Sequence, residues 1–188
     1  YMYKVLLREL DYAEDFEVAE LEMTLESDEK LDDFCQRFES RFGGPWSTRR
    51  KLALRMSEAS AILSEMDPAT YQEPDSSSKG RAGQVVEATP NLLVDRSYEL
   101  MARRYPGHAL VYIIDEVGQF IARSSDRIED IRRTVELLGL EGSNRVRRRE
   151  AVSPAWLVAT SQERLDEVVS SIGNVQVQLA KVRDRFSI

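Results

Sequence analysis

From Ala109 to Ile114 the chain passes through an unbroken apolar run, Ala-Leu-Val-Tyr-Ile-Ile, and then meets two adjacent carboxylates, Asp115 and Glu116. A continuous apolar run rich in β-branched side chains reads as a strand buried on both faces, the kind found in parallel sheets clothed by helices. A chain built around such a strand is directed towards an α/β architecture, in which ligands sit beyond the carboxyl ends of the strands. Successive strand residues point to opposite faces, so the two acids can divide the work. Asp115 would face a Mg2+ ion and its waters, and Glu116 would orient or deprotonate an attacking water. The plainer reading is a buried strand that simply meets solvent.

A second apolar run, Ala155-Trp156-Leu157-Val158-Ala159, follows the turn signal Ser153-Pro154 and ends in Thr160-Ser161-Gln162. Between the runs, Asp126 and Glu129 have capping-box spacing, and Ile128, Ile131, Val135 and Leu138 recur at helical intervals up to Gly139, where the helix is expected to stop. Strand, helix, strand is a crossover unit that brings two parallel strand ends to one edge. Thr160, Ser161 and Gln162 are then expected near Asp115 and Glu116, the first strand in the place of a Walker B strand and the second in the place of the polar phosphate-sensing position called sensor 1. The local alternative is that Thr160 with Glu163 caps a helix carrying Leu165, Val168, Val169 and Ile172.

The stretches Leu110 to Phe120, with Asp-Glu-Val-Gly-Gln at 115–119, Ala159 to Glu163, and Val182-Arg183-Asp184-Arg185-Phe186 together resemble the large P-loop ATPase of bacteriophage-exclusion (BREX) and phage-growth-limitation defence systems. Ala19 to Glu22 and Asp67 to Tyr71 resemble it more loosely. The resemblance implies an AAA-like engine that hydrolyses ATP with Mg2+, acting on DNA within a multi-protein antiviral complex and assembling as a homo-oligomer when full length. It also places Arg183 or Arg185 in the arginine-finger region, where a guanidinium stabilises charge on the transferring phosphoryl group.

No Gly-x-x-x-x-Gly-Lys-Ser/Thr occurs in the chain, although phosphate cradling needs that loop's amides and lysine. Gly43-Gly44 runs into Pro45-Trp46, and Lys79-Gly80 has no strand before it. An internal fragment of a larger ATPase is therefore expected, binding ATP poorly and hydrolysing it negligibly by itself.

The segment 1–66 reads as a helical subdomain. Val18, Leu21 and Leu25 share one helical face, Leu31, Phe34, Phe38 and Phe42 a second after the cap signal Ser27-Asp28, and Leu52, Met56, Ala59, Leu63 and Met66 a third. From Tyr1 to Phe42 there are 13 Asp and Glu against 5 Lys and Arg. Residues 67–88 shift to Pro, Asp, Ser and Gly and read as a long polar loop. Thr89-Pro90 opens another helix, and 89–188 reads as the Walker B to sensor 1 half of an ATPase core. The expected fold is thus α/β, a partial P-loop NTPase (AAA-like) core with parallel strands preceded by a mainly helical insertion.

A net charge of −7 excludes a surface that grips nucleic acid through bulk positive charge, so DNA contact is local or made by other regions. Arg145-Val146-Arg147-Arg148-Arg149 is the one dense basic cluster, expected in a loop bounded by Gly142-Ser143-Asn144 and Ser153-Pro154; it reads as a solvated charge run, the alternative being contact with DNA or with a neighbouring subunit's nucleotide. One cysteine, Cys35, and one histidine, His108, cannot assemble an internal disulfide, a zinc site or a nucleophilic triad. No apolar stretch approaches the ~20 residues of a membrane span, and a cytoplasmic protein is expected. Two functions stay open: an ATPase completed by a separate glycine-rich loop, and a non-catalytic helical scaffold or degenerate nucleotide-binding module that docks protein partners.

Overall fold

The structure, a computed structural model, describes residues 1–52, 54–71, 87–118 and 125–160. The chain divides into two compact units, Tyr1–Glu87 and Ala88–Ile188.

The first unit is helical: α1 (Met2–Glu9), α2 (Phe16–Ser27), α3 (Leu31–Phe42), the single turn α4 (Trp46–Arg49) and α5 (Arg55–Met66). Asp15 caps α2 by accepting the Val18 N–H at 3.3 Å, which satisfies one of the orphan donors at the helix start. Val18, Leu21 and Leu25 of α2 pack with Phe34 and Phe38 of α3 and with Ala59, Ile62 and Leu63 of α5. Trp46 completes this core edge-on to Phe34 and Phe38, with centroids 5.1 and 4.9 Å away. Each such aromatic pair adds roughly 0.5–1.5 kcal/mol beyond the area it buries.

Glu22, on α2, is 2% exposed. Its carboxylate accepts the Ala13 N–H at 2.8 Å, the Trp46 indole N–H at 2.7 Å and the Arg50 guanidinium at 3.0 Å. A buried charge is tolerable only when paired and hydrogen-bonded, and these three donors meet that condition.

Two local expectations are corrected in this unit. Ser27 and Asp28 do not cap α3; they end α2, and α3 starts after Lys30, whose side chain makes no cap. The turn between the helices is held instead by backbone bonds, Lys30 N–H to Leu25 O at 2.8 Å and Glu29 N–H to Glu26 O at 3.1 Å, with Glu29 at φ +57°. That pairing is the Schellman ending, usually made with glycine at the left-handed position. Leu52 lies before α5 and is exposed, because the chain turns there through the Leu52 carbonyl, which accepts from the Arg55 N–H and guanidinium.

The second unit runs α6 (Pro90–Arg104), β1 (Val111–Ile114), α7 (Ser125–Arg147) and β2 (Trp156–Ala159). Thr89 caps α6 by accepting the Leu92 N–H at 3.2 Å, with Pro90 at the first helical position. Helix α6 packs along α7. The strands pair in parallel, Val111 opposite Trp156 through Ile114 opposite Ala159, so the described sheet has two strands. At this level the fold is helix-rich α/β.

Helix α7 does not stop at Gly139. It continues through Gly142, Ser143 and Asn144, so Arg145 and Arg147 stand in its last turn rather than in a loop. Gly142 allows this because the helix passes close to its neighbours there: a Cβ on Gly142 would clash with the Tyr98 hydroxyl and lie 2.9 Å from Pro154 Cα. Basic side chains in the last turn also oppose the negative end of the helix dipole. Asp126 lies within the first turn of α7, not at its cap.

Among the described residues, the two strands are covered on one face. Tyr112 is buried beneath α6, where its hydroxyl meets Ser97 Oγ at 2.6 Å. The opposite face presents Val111, Ile113, Trp156 and Val158, between 49% and 74% exposed. No described element lies over it, whereas the sequence reading expects both faces of the strand to be buried.

Candidate functional site

Beyond Ile114 the backbone leaves the strand through Asp115 and turns at Glu116, which adopts φ +57°. A non-glycine residue in this left-handed region is uncommon and costs roughly 1 kcal/mol or more, so the surroundings must hold it there. Thr160, the residue after β2, supplies that hold. Its amide donates to Ile114 O at 2.9 Å, its carbonyl accepts the Val117 N–H at 2.9 Å, and its hydroxyl oxygen accepts the Glu116 N–H at 3.2 Å. The same hydroxyl donates to Asp115 Oδ1.

Asp115 and Thr160 are exposed and Glu116 is half-buried, so the rim faces solvent. The second oxygen of Asp115 has no partner among the described residues. Among those residues, no group of three or more His, Cys, Asp or Glu side chains is placed to hold a metal ion. That excludes an all-protein cage in the described part. It remains compatible with Mg2+, which in nucleotide sites takes one or two carboxylates and draws its other ligands from water and phosphate. Asp115, with one anchored and one open oxygen, fits that use.

Of the other residues singled out in the sequence, Ser161, Gln162, Arg183 and Arg185 lie outside the described residues. His108 sits before β1, at the opposite end of the sheet from Asp115, and its Nδ1 lies 3.2 Å from Pro106 O. Arg148 and Arg149 follow α7, with Arg149 at φ +64°.

Sequence reasoning missed the polar clasp behind the sheet. Ser97 gives its one hydroxyl proton to Leu93 O at 2.6 Å, so Tyr112 is the donor in their mutual bond. Burial pushes the Tyr112 phenol up to about 12, and donating its proton to Ser97 works in the same direction. Tyr98 donates to Leu138 O at 2.9 Å and accepts the Ala155 N–H at 2.8 Å, tying α6 to α7 and to the entry of β2. Its phenol is likewise raised by burial. Tyr98 and Ser97 are adjacent on α6, but nothing in their spacing marks them as partners of residues far along the chain.

Compared with known proteins, the chain matches no family model and no solved structure. No described helix is long and apolar enough to cross a membrane.

Proposed function

We propose that the second unit is the water-activating half of an ATP-hydrolysing P-loop site of AAA-like type, belonging to a protein of an antiphage defence complex. The observation that carries the reading is the shared rim: two parallel strand ends present Asp115, Glu116 and Thr160 together, joined by the Thr160 hydroxyl. In this reading Asp115 holds the Mg2+ that neutralises phosphate charge. Glu116 orients and deprotonates the attacking water, and Thr160 keeps both at the correct strand end. Ser161 or Gln162 would reach the γ-phosphate, and Arg183 or Arg185 would act across a subunit boundary. The phosphate-cradling loop comes from a separate stretch of polypeptide. Assignment to defence rests on the likeness of residues 110–120, 159–163 and 182–186 to the BREX and phage-growth-limitation ATPases.

The test is ATP turnover by the assembly that brings a glycine-rich loop to this rim. Glu116→Gln should leave Mg-ATP binding intact and lower turnover at least about 100-fold, the scale of a general-base contribution. Equal turnover in the two proteins rejects the reading.

One observation favours a second reading, a non-catalytic module. The single proton of the Thr160 hydroxyl is already given to Asp115, so it has none to donate to a phosphate, and one of its lone pairs takes the Glu116 N–H. If the rim only clasps two strand ends, Asp115→Asn should change stability without changing Mg-ATP affinity in that same assembly.

A further inference from the structure

At the amino ends of β1 and β2, the opposite end from Asp115, the second unit holds a cleft of about 510 Å³. Met101, Leu110, Val146 and Val152 give it apolar walls. One rim carries Tyr105, 46% exposed, with the His108 ring edge-on to it at 5.9 Å. Arg149 lines another part of the rim, next to Arg148. Both arginines are exposed and have no carboxylate partner among the described residues, whereas Arg145 is engaged by Glu141 at 2.9 Å.

The charge here runs against that of the whole chain. In segments 101–110 and 145–153, which contribute most of the lining, Arg103 and Arg145 are paired with Glu99 and Glu141, while Arg148 and Arg149 stand exposed next to the lining carboxylate Glu150, within a protein of net charge −7. A guanidinium matches a phosphate in bidentate fashion. An open aromatic face beside cationic side chains is the recurring platform for unpaired bases. The volume falls within the roughly 300–1,000 Å³ of small-ligand sites, enough for one nucleotide unit.

We propose that this cleft binds single-stranded nucleic acid, one base stacking on Tyr105 above the apolar walls while Arg148 and Arg149 take adjoining phosphates. An acidic peptide would satisfy the arginines but leave the apolar walls and the exposed part of the Tyr105 ring unused. A duplex keeps its bases stacked on one another. The site is separate from the Asp115 rim and does not depend on the ATPase reading.

The test is fluorescence anisotropy of a labelled oligothymidylate of about 20 nucleotides titrated with the 188-residue protein. Saturable binding is expected, weakened about fivefold or more by Tyr105→Ala and by Arg149→Gly, and kept by Tyr105→Phe, which retains the ring. Glycine suits the φ of +64° at position 149, so a loss in Arg149→Gly reports lost charge rather than lost fold. Two phosphate contacts predict a slope of log affinity against log salt of about −1.4, weakening to about −0.7 in Arg148→Ala. The proposal is overturned by absence of binding, by affinity insensitive to these substitutions, by polyglutamate competing as well as unlabelled oligonucleotide, or by thymidine monophosphate competing equally, which would make the ligand a free nucleotide.

Discussion

The hydroxyl of Thr160 donates to the carboxylate of Asp115 across the two parallel strand ends, although 45 positions separate them in the chain. Because the same oxygen also receives the Glu116 N–H, one side chain fixes both the carboxylate and the left-handed turn behind it. Thr160→Val keeps the shape and removes both bonds. A loss of about 0.5–1.5 kcal/mol is expected for this exposed pair of bonds, with Thr160→Ser close to the parent. Urea denaturation of the three proteins compares them, and a valine variant as stable as the parent would show that the clasp contributes nothing.

Glu22 is a buried charge among the described residues of the first unit. Glu22→Ala strands the Trp46 indole N–H and leaves Arg50, still near Asp11, without its buried partner. Removing one member of a buried pair costs roughly 3–5 kcal/mol. The unfolding midpoint should fall accordingly, and adding Arg50→Met to the alanine variant should recover part of the loss.

Tyr112 makes stability depend on alkaline pH. Its phenol titrates near 10.0 when unfolded and at about 12 when folded, so its contribution is fully present below pH 10 and disappears as pH rises to about 12. The difference between those two values corresponds to roughly 2–3 kcal/mol. Chemical denaturation at pH 9 and pH 11.5 should show that drop in the parent and a shallower one in Tyr112→Phe, where the raised Tyr98 phenol still contributes.

Glu29 holds the left-handed position of a Schellman ending with no need of its side chain there. Glu29→Gly should raise stability by about 0.5–1 kcal/mol, because relief of backbone strain exceeds the added unfolded-state freedom. Lower thermal stability in that variant would mean that the Glu29 side chain contributes more than its backbone costs.

Gly142→Ala drives a methyl into the Tyr98 hydroxyl and the Pro154 backbone. The hydroxyl can move only by abandoning Leu138 O and Ala155 N–H, and Pro154 belongs to the backbone leading into β2. A cost of about 1–3 kcal/mol is expected. An alanine variant of unchanged stability would place α7 farther from β2 than the structure does.

Local patterns were legible wherever one element's own residues decide its form. Thr89-Pro90 announces α6, the two apolar runs announce β1 and β2, and the Phe34 and Phe38 spacing announces the core face of α3. Glycine misled as a stop signal at Gly139 and as a loop boundary at Gly142. A helix ends where continuing costs more than stopping, and at Gly142 the missing side chain is what lets α7 pass Pro154. Conversely, three endings that look unmarked, at Asp11, Glu29 and Arg149, use charged residues at positive φ, held by the 6→1 and 5→2 backbone bonds of the Schellman pattern.

The acidic doublet and the polar Thr160 could be identified from order and spacing alone, because strand periodicity and the crossover rule are local properties of the chain. Which face of the sheet is covered, which proton Thr160 gives away, and the cleft formed by Tyr105, His108 and Arg149 were decided only in three dimensions. Those depend on side chains distant in sequence meeting at fixed geometry. Hydrophobic pattern records how apolar a strand is, but not how many neighbours arrive to bury it.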